Sequence, residues 1–276
     1  MPFTITTLVE NTTASPCLAP EHGLSIFVEG NGKKILYDTG PSPRFLLNAK
    51  ALSADLDDLD AIVLSHGHYD HTGGTTALLA RGRGPKAVYV GKGFFKERYS
   101  RKGNDLLELS ATVEARAISH EGIPCVEVGD EPMPLGPGVW LLSGFVSTDE
   151  QETANPNSVY RDHDQFKVDQ FEDEVVLVLE TGEGLAMISG CSHVGILSIC
   201  RRVEEIFGQK VVCFIGGTHL MNAGDSRIAH TCRRLREMGI RRLGACHCNG
   251  ERASAYFKEN FPGYFENQTG TRVVLE

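Results

Sequence analysis

The chain has 276 residues, of which 41% are hydrophobic, and it carries a formal net charge of -9. This length is enough for one large domain with a sizeable core, so we expect a single domain over residues 1–276. The negative charge disfavours nucleic acid and anionic membranes as partners. No run approaches the ~20 apolar residues of a membrane helix. The N-terminus lacks the features of a signal peptide, which favours a cytoplasmic location.

The first sixty residues are typical of strands. Residues 4–9 and 24–29 alternate or run apolar, and Gly30-Asn31-Gly32 predicts a hairpin turn into a strand over 34–37. A short helix is predicted over 44–52, before an acidic loop.

The next segment, over 61–65, is predicted to be a strand, and it leads into His66-Gly67-His68-Tyr69-Asp70-His71. In an extended segment His66 and His68 point to the same face, where two imidazoles can share a metal ion. Asp70 and His71 follow where the chain must turn, so they can face a second position beside the first. Imidazole and carboxylate together suit zinc or iron. A helix is predicted next, through Leu79, with Thr72 as its N-cap.

The middle of the chain contains a long polar stretch. Strands are predicted over 87–90 and 139–146, and a hairpin over 175–180 and 185–189. Between them, residues 147–174 carry nine acidic residues and few apolar ones. Structureless loops of this length are usually lids or disordered segments. We therefore expect a mobile flap over the metal site, with a solvated surface loop as the alternative.

The C-terminal third alternates helix and strand. Helical spacing joins Val194, Leu197, Cys200, Val203 and Phe207. Further helices are predicted over 228–238 and 253–260, and strands over 211–215 and 243–246.

The eight cysteines are scattered and do not form a secreted disulfide framework. Cys246 and Cys248 flank His247, and a Cys-His-Cys cluster could hold a metal ion of its own. Strand alternation would turn both thiols away from His247, so we predict that they pack in the core.

The six-residue histidine string has the HxHxDH form of the metallo-β-lactamase superfamily, and other strings extend the resemblance along most of the chain. Those strings are Leu36-Tyr37-Asp38-Thr39-Gly40, Glu21-His22-Gly23-Leu24-Ser25, Gly190-Cys191-Ser192-His193, Gly216-Gly217-Thr218-His219-Leu220 and His247-Cys248-Asn249-Gly250. Together they resemble the subfamily that includes the archaeal dihydropterin–ribofuranosylaminobenzene 5'-phosphate synthase. The resemblance implies an α/β fold, a four-layer αββα sandwich with the metal ions at one edge of its strands.

The resemblance also implies two ligand sets. His66, His68 and His193 would hold one ion, and Asp70, His71 and His247 would hold the other. The cofactor is expected to be one or two zinc ions, with iron or manganese as alternatives.

Further roles follow from the same resemblance. Asp38 would orient a ligand histidine, and Asp70 and His219 are the catalytic candidates, with His219 as a general acid or a buried structural imidazole. Glu21 and His22, with His219, would border the substrate. The helix N-termini after Thr72 and His193 would offer N–H groups to a phosphate.

The chain departs from the superfamily pattern at two points. The usual third histidine for the first metal is absent from Leu142-Ser143-Gly144-Phe145, where His120 and His163 are weak stand-ins, so His193 would replace it. The usual metal-bridging aspartate is replaced by Cys191, which we expect within the metal pocket, either as a thiolate ligand or as a packed side chain beside the ligands.

Three functions are consistent with these residues. The first is a metal-dependent enzyme that acts on a small anionic or phosphorylated molecule, as in the synthase subfamily, where pyrophosphate leaves a pterin. The second is a hydrolase of an ester, lactone, thioester or phosphodiester. The third is a non-catalytic metal-binding sensor. The sequence leaves the substrate, the metal identity and homo-oligomer formation open.

Overall fold

The computed structural model describes residues 2–276, which form seventeen strands and seven helices within that range. The strands are β1 (Phe3–Val9), β2 (Ser25–Gly30), β3 (Lys33–Tyr37), β4 (Ala61–Val63), β5 (Val88–Gly91), β6 (Arg98–Lys102), β7 (Asp105–Glu108), β8 (Cys125–Val128), β9 (Met133–Gly136), β10 (Val139–Leu142), β11 (Ser158–Asp162), β12 (Gln165–Val168), β13 (Val176–Thr181), β14 (Gly184–Ser189), β15 (Val211–Gly217), β16 (Arg242–Cys246) and β17 (Arg272–Leu275). The helices are α1 (Arg44–Ala51), α2 (Tyr69–Thr72), α3 (Thr75–Leu79), α4 (Ala115–His120), α5 (Ile196–Phe207), α6 (Asp225–Met238) and α7 (Gly250–Asn260).

Two large mixed sheets form the centre of the molecule. The first has seven strands in the order β17-β1-β2-β3-β4-β5-β8, and the second has six in the order β16-β15-β14-β13-β10-β9. Strands β3, β4, β5 and β8 are parallel to their neighbours in that series, as are β14, β15 and β16. Parallel strands end at a common edge, so the loops that follow them meet there.

Helices cover the outer face of each sheet, because both faces of the strands are apolar. In β13, Val176 and Val178 pack against the core that faces α5, α6 and α7, whereas Leu177 and Leu179 pack into the core between the two sheets. A third core joins the outer face of the first sheet to α1 and α3. Because successive side chains of a strand point to opposite faces, each buried strand contacts the helices on one face and the other sheet on the opposite face. The resulting αββα sandwich confirms the predicted fold class.

Most predicted elements lie where the sequence places them, within a few residues. The hairpin turn between β2 and β3 uses Asn31 and Gly32, whose φ angles are 48° and 73°. The strand predicted over 139–146 is shorter and ends at Leu142. The predicted N-cap at Thr72 is wrong: Thr72 is the last residue of α2, and its hydroxyl donates to the carbonyl of His68. The next helix, α3, begins only at Thr75.

The prediction that residues 147–174 lack an anchor is also wrong. Strands β11 and β12 in that segment belong to a separate four-stranded antiparallel sheet of order β12-β11-β6-β7, in which β11 pairs with β6. Near its two ends the segment buries Glu152, Asp169, Phe171, Asp173 and Glu174. Acidic side chains that looked solvated in the sequence therefore fix this segment to the rest of the fold.

Across residues 2–276, no helix combines the length and the apolar character that crossing a bilayer requires.

Candidate metal centre

The candidate ligands follow the carboxyl ends of parallel strands, at one edge of the two sheets. His66, His68, Asp70 and His71 follow β4, and His193 follows β14. His219 follows β15 and His247 follows β16, and both strands are parallel to β14, so these residues lie at the same edge of the second sheet. The topology thus brings together residues that are distant in the sequence.

The first predicted ligand set forms a compact cluster. One ring nitrogen each of His66, His68 and His193 lies within 4.8 Å of the others, and His66 Nε2 is 3.0 Å from His68 Nδ1. Burial, together with neighbouring imidazoles and Arg98, lowers the pKa of His66 and His193 well below the usual range. Burial also lowers the pKa of His68 to about 3. The neutral imidazole is the form that binds a metal ion.

The second predicted set converges on Asp70. Its Oδ2 lies 3.3 Å from His247 Nε2 and 3.9 Å from His71 Nε2. The structure adds His22, whose Nε2 is 3.6 Å from the same oxygen and whose side chain is about half exposed. The sequence placed His22 beside the substrate, and its position allows either a ligand role or a substrate contact at the mouth of the site.

Asp38 lies where the resemblance predicts an orienting carboxylate. Its Oδ2 is 2.6 Å from His71 Nδ1, and both side chains are fully buried. Burial alone would lower the pKa of His71, but the carboxylates of Asp38 and Asp70 outweigh it and raise that pKa to about 9. Asp38 also accepts a hydrogen bond from the Ser65 hydroxyl, which lies 2.9 Å from His66 Nδ1. These contacts place a proton on Nδ1 of both rings, so Nε2 is the nitrogen of each that would bind a metal ion, and at His71 the ion would replace the second proton.

Cys191 lies inside the site, as predicted, and its Sγ is 3.3 Å from His71 Nε2. The prediction for Cys248 is wrong. The chain turns into a 3-10 helix at His247–Asn249, so strand alternation no longer applies, and Cys248 lies with Cys191 and His219. Cys246 does pack in the core as predicted, where Asn267 donates to its sulfur.

A buried network behind the first cluster was not predicted. Asp173 accepts a hydrogen bond from the backbone N–H of Gly67, between His66 and His68, at 2.7 Å. Arg98 pairs with Asp173 and with Asp169 at 2.8 and 2.7 Å, although its contact with Asp173 Oδ1 is not aligned as a hydrogen bond. A Cβ at Gly67 would lie 2.3 Å from the Arg98 guanidinium, which explains why a glycine separates the two histidines.

An aromatic ring completes this support. Phe171 stacks on the His193 ring, with the centroids 3.8 Å apart and the planes 1° from parallel. The same phenyl ring meets His68 edge to face at 5.6 Å. In the sequence, Phe171 was one apolar residue within an acidic stretch, and no pattern marked it.

The prediction that the helix after His193 offers its N-terminus to a phosphate is wrong. Glu174 accepts the N–H groups of His193 and Val194, and Glu152 accepts those of Leu197 and Ser198. Burial raises the pKa of Glu174 to about 8 and also raises that of Glu152. Gly195, at φ 111°, leaves room for Glu152, because a Cβ there would lie 2.3 Å from the carboxylate. The protein's own acids thus occupy this helix end.

Three predicted residues lie away from the ligands. The Glu21 carboxylate accepts a hydrogen bond from Ser42 and pairs with Arg44 at 3.3 Å, so it contributes to the N-terminal loop rather than to the site. His120 and His163 are exposed, at 87% and 96% of their side chains, and neither replaces a ligand. His193 supplies the third imidazole of the first cluster instead.

Comparison with known proteins agrees with this geometry. Residues 18–197 match the metallo-β-lactamase superfamily. The 7,8-dihydropterin-6-methyl-4-(β-D-ribofuranosyl)-aminobenzene-5'-phosphate synthase of Methanocaldococcus jannaschii is 32% identical over 266 residues, 92% of this chain and 90% of that protein. The crystal structure of Tm1679, a metal-dependent hydrolase of the β-lactamase superfamily, has a TM-score of 0.83 and 29% identity over 98% of both chains.

A more distant structure shares the fold alone. Zn²⁺-bound PqqB from Methylobacterium extorquens has a TM-score of 0.58 and 13% identity, over 98% of this chain and 99% of PqqB. The fold, the ligand sets at its strand edge and the two more similar proteins lead to one conclusion. The chain belongs to the metallo-β-lactamase superfamily and is a metal-dependent enzyme, a hydrolase or a transferase.

Proposed function

We propose that this enzyme transfers a group between small anionic molecules, as the name of its methanogen relative implies, and that it uses a dinuclear zinc centre. The observation that carries the proposal is the closeness of two ligand sets, one around His66, His68 and His193 and one around Asp70, in a chain that aligns with that synthase over 92% of its length. Its substrates would be a pterin diphosphate and a ribofuranosylaminobenzene phosphate.

The residues present fit a metal centre. His193 Nε2 is buried and has no hydrogen-bond partner among residues 2–276. The donors around it are imidazole nitrogens, one carboxylate and two thiols, a set that suits a borderline ion such as Zn²⁺. His66, His68 and His193 would hold one ion, and Asp70, His71 and His247 the other. Bound ions would act as Lewis acids toward the oxygens of the diphosphate.

The other side chains would orient, donate and exclude water. Asp38 would fix the His71 ring through the 2.6 Å contact with its Nδ1. His219, whose ring centroid lies 4.2 Å from that of His193, would donate a proton to the departing diphosphate. In the transfer, the bond from the pterin methylene to the diphosphate oxygen would break, a bond from the methylene to the acceptor would form, and the acceptor would release a proton to solvent. Phe171, packed over the histidines, would limit the access of water.

Hydrolysis is the second candidate, because Tm1679 is described as a metal-dependent hydrolase and matches 98% of this chain at 29% identity. Both reactions use the same polarising ions and differ in the nucleophile, which is water in one case and the aminobenzene acceptor in the other.

Release of diphosphate can distinguish the two candidates. Protein purified without added metal would first be analysed for its metal content, and then incubated with the pterin diphosphate with and without the acceptor. For a synthase we expect release that requires the acceptor and matches condensed product one to one. Release without acceptor, or turnover of lactone or phosphate-ester substrates alone, would contradict the synthase and favour the hydrolase.

A further inference from the structure

A pair of thiols and an imidazole form a further cluster that adjoins the histidine sets through Cys191. One ligand atom each of Cys191, His219 and Cys248 lies within 4.8 Å of the other two. Both cysteines are buried and neither forms a disulfide. They follow β14, β15 and β16, three adjacent parallel strands, so the same sheet edge that presents the histidines also brings these residues together.

We propose that Cys191, His219 and Cys248 form an additional metal position for a thiophilic divalent ion, such as Zn²⁺, next to the two histidine-rich positions. Two thiolates and one imidazole are a common zinc donor set, and a fourth position would remain for water or substrate. Softer sulfur donors also distinguish this position from the imidazole and carboxylate sets. The proposal does not depend on which reaction the enzyme catalyses.

The surroundings of Cys248 suit a thiolate ligand. Its sulfur accepts a hydrogen bond from the backbone N–H of His219 at 3.2 Å, a contact that stabilises negative charge on sulfur. Gly217 permits the approach of this sulfur, because a Cβ at that position would lie 2.4 Å from it. A residue with a side chain at position 217 would therefore prevent the Cys248 thiol from lying at the strand ends.

The environment of His219 is a second, independent observation that favours a metal ion at this cluster. Its Nδ1 is buried and has no hydrogen-bond partner among residues 2–276, which is costly unless the nitrogen has another role. Its backbone has φ 52°, a conformation that a side chain larger than glycine adopts only at a cost. An imidazole has two nitrogens, so coordination through one leaves the other available to a substrate.

Cys191 would connect the additional position to the second histidine set. Its Sγ lies 3.3 Å from His71 Nε2 and within 4.8 Å of both His219 and Cys248 ligand atoms. By the resemblance of the sequence to the superfamily pattern, Cys191 is expected where a metal-bridging aspartate usually lies. A thiolate there could contact an ion on either side.

The test uses Cd²⁺ as a probe, because cadmium bound to sulfur gives an ultraviolet charge-transfer absorption and a cadmium NMR resonance distinct from that of nitrogen and oxygen sites. Metal-free, reduced protein would be titrated with Cd²⁺, and bound ions counted after gel filtration. For the wild type we expect a resonance from a site with two sulfurs. Cys248→Ser should lose this resonance and one bound Cd²⁺ per chain.

His68→Ala and Cys246→Ser serve as matched controls. The first removes a ligand of the histidine set and should leave the two-sulfur resonance in place. The second removes a neighbouring buried thiol outside the cluster and should change neither the resonance nor the count. The absence of a two-sulfur resonance in the wild type at saturating Cd²⁺ would overturn the proposal, and this measurement suffices if a variant fails to fold. An unchanged number of bound Cd²⁺ ions in folded Cys248→Ser would also overturn it.

Discussion

Three imidazoles of the centre are held by specific neighbours, and this support sets the chemistry that each ring can perform. Asp38 fixes His71, the Ser65 hydroxyl fixes His66, and Phe171 stacks on His193. In metal sites, loss of a residue that supports a ligand typically lowers metal affinity or activity by about 10–100-fold.

His68→Ala should lose the ion of the first position, and activity with it, because it deletes one of the three imidazoles that share this position. Inductively coupled plasma mass spectrometry measures the metal content, and a turnover assay measures the activity. His163→Ala is the matched control, since that histidine is 96% exposed in the turn between β11 and β12. Wild-type metal content in His68→Ala would show that the ligand set is wrongly assigned.

Asp38→Asn should weaken metal binding by about 10–100-fold while the fold is retained. An amide lacks the negative charge, and it cannot accept hydrogen bonds from Ser65 and His71 with both of its ends. Competition with a chelator measures the affinity. Asp164→Asn, at an exposed position between β11 and β12, is the control. Equal chelator sensitivity in the two variants would mean that Asp38 does not act through His71.

At the scale of elements, helix α5 depends on acids contributed by a distant segment. Glu152 accepts the N–H groups of Leu197 and Ser198, and Glu174 accepts those of His193 and Val194. The bonds to Glu152 use first-turn donors that a helix leaves unpaired, whereas Glu174 holds the two residues that come just before the N-cap Gly195. They also tie the ends of the segment 147–174 to the strand edge that carries the ligands.

Glu152→Gln should change how stability depends on pH. Burial raises the pKa of Glu152 in the folded protein above its ordinary value of 4.5. The folded state therefore keeps its proton while the unfolded state releases it, so the contribution of Glu152 to stability is complete below that ordinary value and is lost as the pH rises through the folded pKa. Glutamine does not titrate, so Glu152→Gln should gain stability relative to the wild type as the pH rises.

Urea unfolding at several pH values measures this difference. Glu150→Gln, an exposed neighbour, should follow the wild-type curve. Parallel curves for wild type and Glu152→Gln would show that this carboxyl titrates normally in the folded protein.

Much of the element order and many of the ligands can be predicted from the sequence, because they depend on local patterns. Apolar alternation marks the strands, and HxHxDH places four candidate ligands within six residues. The role of Glu152 could not be predicted, because a buried acid looks the same in sequence as a solvated one. Cys248 was misplaced because the strand ends at Cys246 and His247 takes a φ of 54°, which strand periodicity does not reveal.

At the scale of the whole molecule, the small sheet of β6, β7, β11 and β12 is fastened to the metal loop through buried charge. Arg98 lies on β6, is 2% exposed, and pairs with Asp169 and Asp173, which follow β12. Asp173 continues this contact to the backbone of Gly67. Neutralising Arg98 should therefore disturb the position of Asp173 and, through it, the backbone of the loop that carries His66 and His68.

Arg98→Met should destabilise the protein by ~3–5 kcal/mol, because it leaves two buried carboxyl groups without their cation. Thermal and urea unfolding measure the loss. Arg101→Met, an exposed position on the same strand, should have little effect. The triple variant Arg98→Met, Asp169→Asn, Asp173→Asn should recover part of the lost stability, since it removes the uncompensated charge. A wild-type unfolding free energy in Arg98→Met would show that the network does not support the fold.

The acid-capped start of helix α5 has a consequence for inhibitors. At many anion sites a helix terminus attracts phosphate through free N–H groups, but here Glu152 accepts two N–H groups of the first turn and Glu174 accepts two from the residues just before the helix. A negatively charged compound that approaches this helix start therefore meets two carboxyl groups. Compounds that carry a metal-coordinating group should inhibit the enzyme far better than substrate-shaped anions that lack one.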